Sequence, residues 1–352
     1  MQVLIRPLLC LIVSFWLTTA QADVTVYTAA LIRTMEPALP EATAVAVQDG
    51  RIVAVGSLKD MEPVLRIRGG KIDRRFENQV IVPGFIDPHV HPSLPAILTQ
   101  FPFLAPDDWS LPTGEFPGAK TPEAYKDRLK ALAAEHRDPK TPFITWGYHP
   151  LWHGEIWRDE LNAWFGDQPV MIWHRSFHEI VGNDAAWAML GVTAEDAALT
   201  PEANWERGHF YEGGLKAVVG KLGFLFEPTR FGKGMQNFLT MMHQSGVTTA
   251  LDMGTGIFGN PLQEIAGIRA VAEAYPVPSR IILTPIILDF MARQVPPEAA
   301  LAEVKAWQLN NSERVKIGNH FKLMLDGAIF SGLSQFGPPG YLDGHEGVWM
   351  AP

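Results

Sequence analysis

The chain has 352 residues, 47% of them hydrophobic, and a formal net charge of -9. That is ample apolar material for a large core and, by length, for roughly two domains. The charge is acidic and spread without long runs of one sign, which excludes the basic footprint of a nucleic-acid-binding protein and reads as ordinary solubility.

The first residues read as a targeting segment. Arg6 precedes a nearly continuous apolar run, Pro7 to Leu17, and Ala20-Gln21-Ala22 has the small-x-small pattern of a cleavage site. These features predict a secretory signal peptide over residues 1–22, cleaved after Ala22, and export, most simply to a bacterial periplasm. The run is short for a membrane span, which needs about 20 residues, so no stable span is expected after cleavage; an uncleaved anchor is the alternative. The single cysteine, Cys10, lies in this segment, so the mature chain is expected to have no disulfide and no thiol nucleophile.

Residues 23–79 read as a small β module of short strands. Thr43 to Val47 and Arg51 to Val55 flank Asp49-Gly50, and Asp-Gly between two such runs predicts a tight hairpin. Next comes V-I-V-P-G-F-I-D-P-H-V-H-P, residues 80–92. An apolar run reaches Asp87, His89 and His91 through a Pro-Gly break. Strand residues two apart share a face, so His89 and His91 can aim both imidazoles into one space while Val90 points away. Two neutral imidazoles at the end of a buried strand make a half-site for zinc or a similar divalent metal; a pair of core histidines is the other reading. Asp87 is placed to orient one of the rings.

A Pro-rich loop follows to Pro122, where Thr121-Pro122 opens a helix with Tyr125, Leu129, Leu132 and Ala133 as its buried stripe. Strands are predicted at Phe143–Tyr148, Val170–Trp173, Val247–Asp252, Arg280–Ile287 and Phe321–Leu325. Helices are predicted at Met235–Gln244, from Asn260-Pro261 to about Tyr275, and at Ala299–Trp307. Strands alternating with helices argue for βαβ units and a parallel sheet. Ligands at a strand's C-terminal end suit a TIM-type (β/α) barrel over residues 80–352; the alternative, an open doubly wound sheet, has no G-x-G-x-x-G or phosphate loop to support it. Seven of the eleven tryptophans lie between Trp146 and Trp205, which reads mostly as core with one or two in a pocket wall.

Other residues could carry chemistry. Lys322 sits in the apolar stretch F-K-L-M-L-D-G, where a lysine is costly unless its charge is paired or removed; a buried stem with its head in water is the alternative. Arg175 and His178, in W-H-R-S-F-H, can donate to a substrate carboxylate or carbonyl, or can equally cap and cross-link the local backbone. Asp252 ends the V-T-T-A-L-D strand as an acid behind a ligand histidine or as a turn residue. The stretch G-H-F-Y-E, ending at Glu212, has no assignable role.

The segment P-G-F-I-D-P-H-V-H-P resembles the metal-binding first strand of the amidohydrolase superfamily. K-L-M-L-D-G resembles the carboxylated-lysine strand of hydantoinase-like members, its D-G the branch called amidohydrolase family 3, which includes N-substituted formamide deformylases. The R-x-x-H-x-x-x-x-N pattern of Arg175, His178 and Asn183 is similar to a segment of the same branch. This resemblance implies a barrel preceded by a small β domain and a hydrolase of carbon–nitrogen bonds of amide or formamide type. It also implies one or two zinc ions (or manganese or iron) held by His89, His91 and a carboxylated Lys322. The family's two further histidines and its general-base aspartate have no counterpart here, and the aspartate is expected beyond Pro352. The chain is therefore expected to be a truncated product, a first half of a barrel lacking its C-terminal partner and inactive or poorly folded alone. Alternatives are an exported binding or regulatory protein on the same scaffold and a glycoside hydrolase, which leaves H-x-H unexplained.

Overall fold

The computed structural model describes residues 23–350, so the segment read as a signal peptide, with Cys10, lies outside the described residues. The chain divides into two compact units between Pro83 and Gly84.

In the first unit, β1 (Val24–Arg33), β2 (Glu41–Gln48), β3 (Arg51–Gly56) and β4 (Gly70–Ile81) form one sheet in the order β3-β2-β1-β4. Asp49 and Gly50 both have positive φ, 51° and 72°, as a two-residue turn between twisted strands requires. Inward Val24, Val26, Ala44 and Ala46 pack on Met61 of helix α1 (Leu58–Arg68). This helix was not expected from a stretch read as strands. It starts where Ser57 and Asp60 cap each other reciprocally, and it makes the crossover that lets β4 run parallel to β1. Val80 and Ile81 pair with Leu31 and Ile32, so the apolar run belongs to β4 and not to the histidine strand. Pro83, which has no N–H to give a ladder, breaks the chain between the two.

The second unit holds a parallel sheet of β5 (Phe85–Val90), β10 (Val247–Thr255), β11 (Arg280–Pro285) and β12 (Val315–Ile317), in the order β12-β11-β10-β5. Between β5 and β10 lies a separate sheet that includes β6 (Phe143–Tyr148), β7 (Val170–His174), β8 (Glu179–Gly182) and β9 (His209–Tyr211). Phe143–Tyr148 and Val170–Trp173 thus belong to an insertion. Its core gathers Trp146, Trp173, Trp187 and Phe210.

Helices α2 (Pro122–Glu135), α3 (Pro228–Gln244), α4 (Pro261–Ala274) and α5 (Pro297–Gln308) each begin with proline at the first turn. Phe231, Met235, Phe238 and Leu239 of α3 and Ile265 and Ile268 of α4 bury Ala250, Ile281, Leu283, Val315 and Ile317 of the parallel sheet. That is an α/β layer structure with helices on one face of the sheet. The sheet does not close into a barrel among the described residues, and its outer strands β5 and β12 each keep an unpaired edge.

Two expectations about strands are corrected. The histidine strand is not buried: Phe85 and Ile86 are 55% and 65% exposed, because β5 is an edge strand with a partner on one side only. Phe321–Leu325 is not a continuous strand. The ladder beside β11 is taken by Val315–Ile317, and after a bend the chain returns for a single bridge, Lys322 to Ile286. Leu323 and Leu325 are exposed and Lys322 is half-buried, so the lysine is not embedded in an apolar core.

Candidate metal site

Alternation along β5 sends Val90 against the helix-covered core and turns the histidines to the other face. The His89 and His91 rings stand 5.5 Å apart, edge to face. Burial first, then the Lys322 ammonium, then His91, holds His89 below its ordinary pKa, so the ring is the neutral form a metal requires. Lys322 is thus near enough to act on His89, placed by the bond from its N–H to the Pro285 carbonyl (2.9 Å) and by the Ile287 N–H on its own carbonyl (3.0 Å).

His91 faces β10. Asp252 Oδ1 lies 3.4 Å from His91 Nδ1, close but not aligned, and this buried nitrogen has no hydrogen-bond partner among the described residues. Asp252 is itself held: Oδ1 accepts the Gly254 N–H at 3.1 Å and Oδ2 accepts the Thr255 hydroxyl. Gly254 leaves room for the ring, since a Cβ there would sit 3.0 Å from His91 Cε1 and Nδ1. Asp87 reaches a backbone atom and no ring: its Oδ1 accepts the His89 N–H at 3.1 Å.

These residues fit a divalent cation. A carboxylate facing Nδ1 favours the tautomer whose Nε2 lone pair is free, which is how ligating imidazoles are oriented. The set is incomplete, however. No group of three or more His, Cys, Asp or Glu residues placed to hold a metal ion occurs among the described residues.

Arg175 and His178 have other partners. Arg175 pairs with Asp107 at 2.6 Å. His178 Nδ1 lies 2.7 Å from Oε2 of buried Glu212, whose Oε1 accepts the Ala328 N–H at 2.9 Å. No hydrogen bond or ion pair among the described residues joins Arg175 or His178 to the imidazole pair. Asn183 is a cap that also accepts the Val170 N–H. Glu212 therefore ties the insertion to the residues just after Asp326-Gly327. Its only sequence signal was the final acid of G-H-F-Y-E.

Sequence reasoning also missed Glu264, deep in the first turn of α4. Burial, then the charge of Asp252, pushes its pKa up to about 8. An acid early in a helix ordinarily reads as a dipole complement, so nothing in the sequence marked it.

A model of the amidohydrolase family, family 3, matches residues 77–336. The chain belongs to this family. The exoenzymes regulatory protein AepA of Pectobacterium carotovorum subsp. carotovorum is 26% identical over 244 residues, 65% of this chain and 49% of that protein. The chain thus spans about half the length of this curated relative. Two solved structures share the fold, both described as uncharacterized metal-dependent hydrolases. That from Pyrococcus horikoshii OT3 has a TM-score of 0.66 at 18% identity, covering 94% of this chain and 60% of that one. That from Pyrococcus furiosus has 0.62 at 15%, covering 93% and 62%.

Proposed function

We propose that this amidohydrolase chain carries part of the site of a metal-dependent hydrolase acting on small amide or formamide-type substrates, on carbon–nitrogen bonds outside peptides. The observation that carries this reading is the His89/His91 pair on one face of a strand end, with Asp252 behind one ring and the Lys322 nitrogen bearing on the other. His89 and His91 would hold one divalent cation, zinc or else manganese or iron. When bound, the cation would supply acidified water and a polarised scissile carbonyl.

The chain's own residues set the conditions. Asp252 faces His91 Nδ1 at 3.4 Å and, on accepting a hydrogen bond from its N–H, would keep Nε2 basic. Lys322 as an ammonium repels a cation; as a carbamate it would attract one and could link two, so carboxylation is part of the proposal. Arg175 and His178 are proposed to meet substrate only if they exchange Asp107 and Glu212 for it. The ligands still needed and a general-base aspartate are proposed to come from a C-terminal half in a TIM-type barrel, and the protein is proposed to be exported to the periplasm.

Metal analysis tests this. The chain completed by its C-terminal half, equilibrated with zinc, manganese or iron and freed of excess, should retain about one or two ions, and H89A/H91A should retain none. Wild-type protein that retains no ion, or a double variant that retains as much, refutes the reading. The name of the AepA relative supports a second one, a binding or regulatory role without catalysis. It is favoured if metal binds yet no amide or formamide is cleaved once the barrel is completed.

A further inference from the structure

Glu264 occupies a place that its helix does not require. Ser93 stands two residues beyond His91, buried, and its hydroxyl donates to Glu264 Oε1 at 2.5 Å. The other oxygen, Oε2, accepts the Gly256 N–H at 2.7 Å. Gly256 follows directly on β10, the strand that carries Asp252 and Gly254 against His91. One carboxyl from α4 therefore fastens the chain leaving His91 to the chain leaving Asp252. The next residue back, Thr255, is fixed on both sides: its hydroxyl on Asp252, and its carbonyl accepting the Ile286 N–H at 2.9 Å.

We infer that Glu264 is a positioning residue for the candidate metal site: its bridge from Ser93 to Gly256 sets the distance and angle between the His91 ring and Asp252. This rests on the reading of His91 as a ligand. A carboxyl withdrawn from water is expensive unless both oxygens are used, and on half-buried Glu264 both are. Its low-dielectric setting beside Asp252 favours the protonated acid at neutral pH, in which form Oε1–H donates to the Ser93 hydroxyl oxygen in place of the reverse bond while Oε2 still accepts the Gly256 N–H. The bridge then depends on hydrogen-bond shape rather than charge. Glutamine reproduces that shape: its oxygen accepts the Gly256 N–H and its amide nitrogen faces the Ser93 hydroxyl. Leucine and a serine-to-alanine change at position 93 each break it.

The test is a zinc titration of the full chain at neutral pH against a chromophoric chelator, for wild type, E264Q, E264L and S93A, with thermal unfolding of each metal-free protein. E264L and S93A should weaken zinc binding about tenfold or more, the usual effect of losing a group that orients a ligand, while E264Q stays within about threefold of wild type. Wild-type affinity in S93A, or a loss in E264Q as large as in S93A, overturns the inference. So does a loss of affinity that follows the metal-free melting temperature across all variants. If E264L does not fold, S93A and E264Q decide alone. If wild type binds no zinc, the metal reading itself falls; if wild type binds and S93A binds equally, only the role of Glu264 falls.

Discussion

Replacing Gly254 by alanine puts a methyl group against the His91 ring. The added Cβ would lie 3.0 Å from both Cε1 and Nδ1. Comfortable contact between carbon atoms is about 3.5–4.0 Å, so the ring has to retreat by roughly 0.5–1 Å or turn. Gly254 does not use left-handed backbone, so alanine itself is not strained there. Overpacking of this kind costs about 1–3 kcal/mol, and the stiffer unfolded chain returns about 0.4–1 kcal/mol, leaving a net loss of roughly 1–2 kcal/mol. The effect on metal should be larger, since a ligand imidazole turned away from its orienting carboxylate typically loses about 10- to 100-fold in affinity. G254A is to be measured by calorimetric zinc titration and thermal unfolding beside G223A, where a Cβ meets nothing within 4 Å. A folded G254A that binds zinc as tightly as wild type refutes the reasoning, because His91 would then be free to move without consequence.

Other perturbations probe the rest of the chain. G50A meets no neighbour within 4 Å, so only its positive φ is penalised, and urea unfolding should show the first unit weakened by about 1–2 kcal/mol; an unchanged midpoint contradicts the turn. Burial lowers His153 and His174 from 6.5 to about 4, so the unfolded chain binds more protons between these values. Stability from each is complete above pH 6.5 and is lost as pH falls toward 4, by about 3 kcal/mol per histidine. H153Q should shallow the acid limb of a plot of melting temperature against pH, and an identical slope rules the mechanism out. E212A leaves the Ala328 N–H and His178 without their buried acceptor and should cost about 3 kcal/mol in urea; a loss below about 1 kcal/mol means the contact is incidental.

Much of the layout could be read in advance where local chemistry decides it. Asp49-Gly50 dictates its turn through positive φ, and Pro122 and Pro261 mark helix starts by lacking an N–H. His89 and His91 share a face because a strand has period two. What escaped depended on tertiary partners. The first helix was overlooked although Ser57 and Asp60 carry its capping signal, because Pro63 lies inside it. Val80 and Ile81 looked continuous with the histidine strand because apolar runs carry no label for the sheet they join. Lys322 seemed buried because its neighbours are apolar, yet Leu323 and Leu325 face solvent. Ser93 and Glu264 are 171 residues apart in sequence, and only the pairing of β5 with β10 brings Ser93, His91 and Asp252 to one place.

The exposed strand and the incomplete ligand set follow from the same geometry. Parallel strands are ordinarily covered on both faces, because the helices that connect them pack there. Here Ala250, Ile281 and Leu283 are covered, while Phe85 and Ile86 on the edge strand are more than half exposed. The two imidazoles give two donor positions, and a zinc site wants about four ligands counting water. Further parallel strands laid beside β5 would bury Phe85 and Ile86, and the ends of those strands would open toward the same space as the His89 and His91 rings. Covering the apolar edge and completing the cation's ligands would then be one event. A C-terminal segment that raises zinc affinity should protect the β5 amides from hydrogen exchange in the same titration. Tighter zinc binding with β5 still unprotected would separate the two and require the added ligands to arrive by another route.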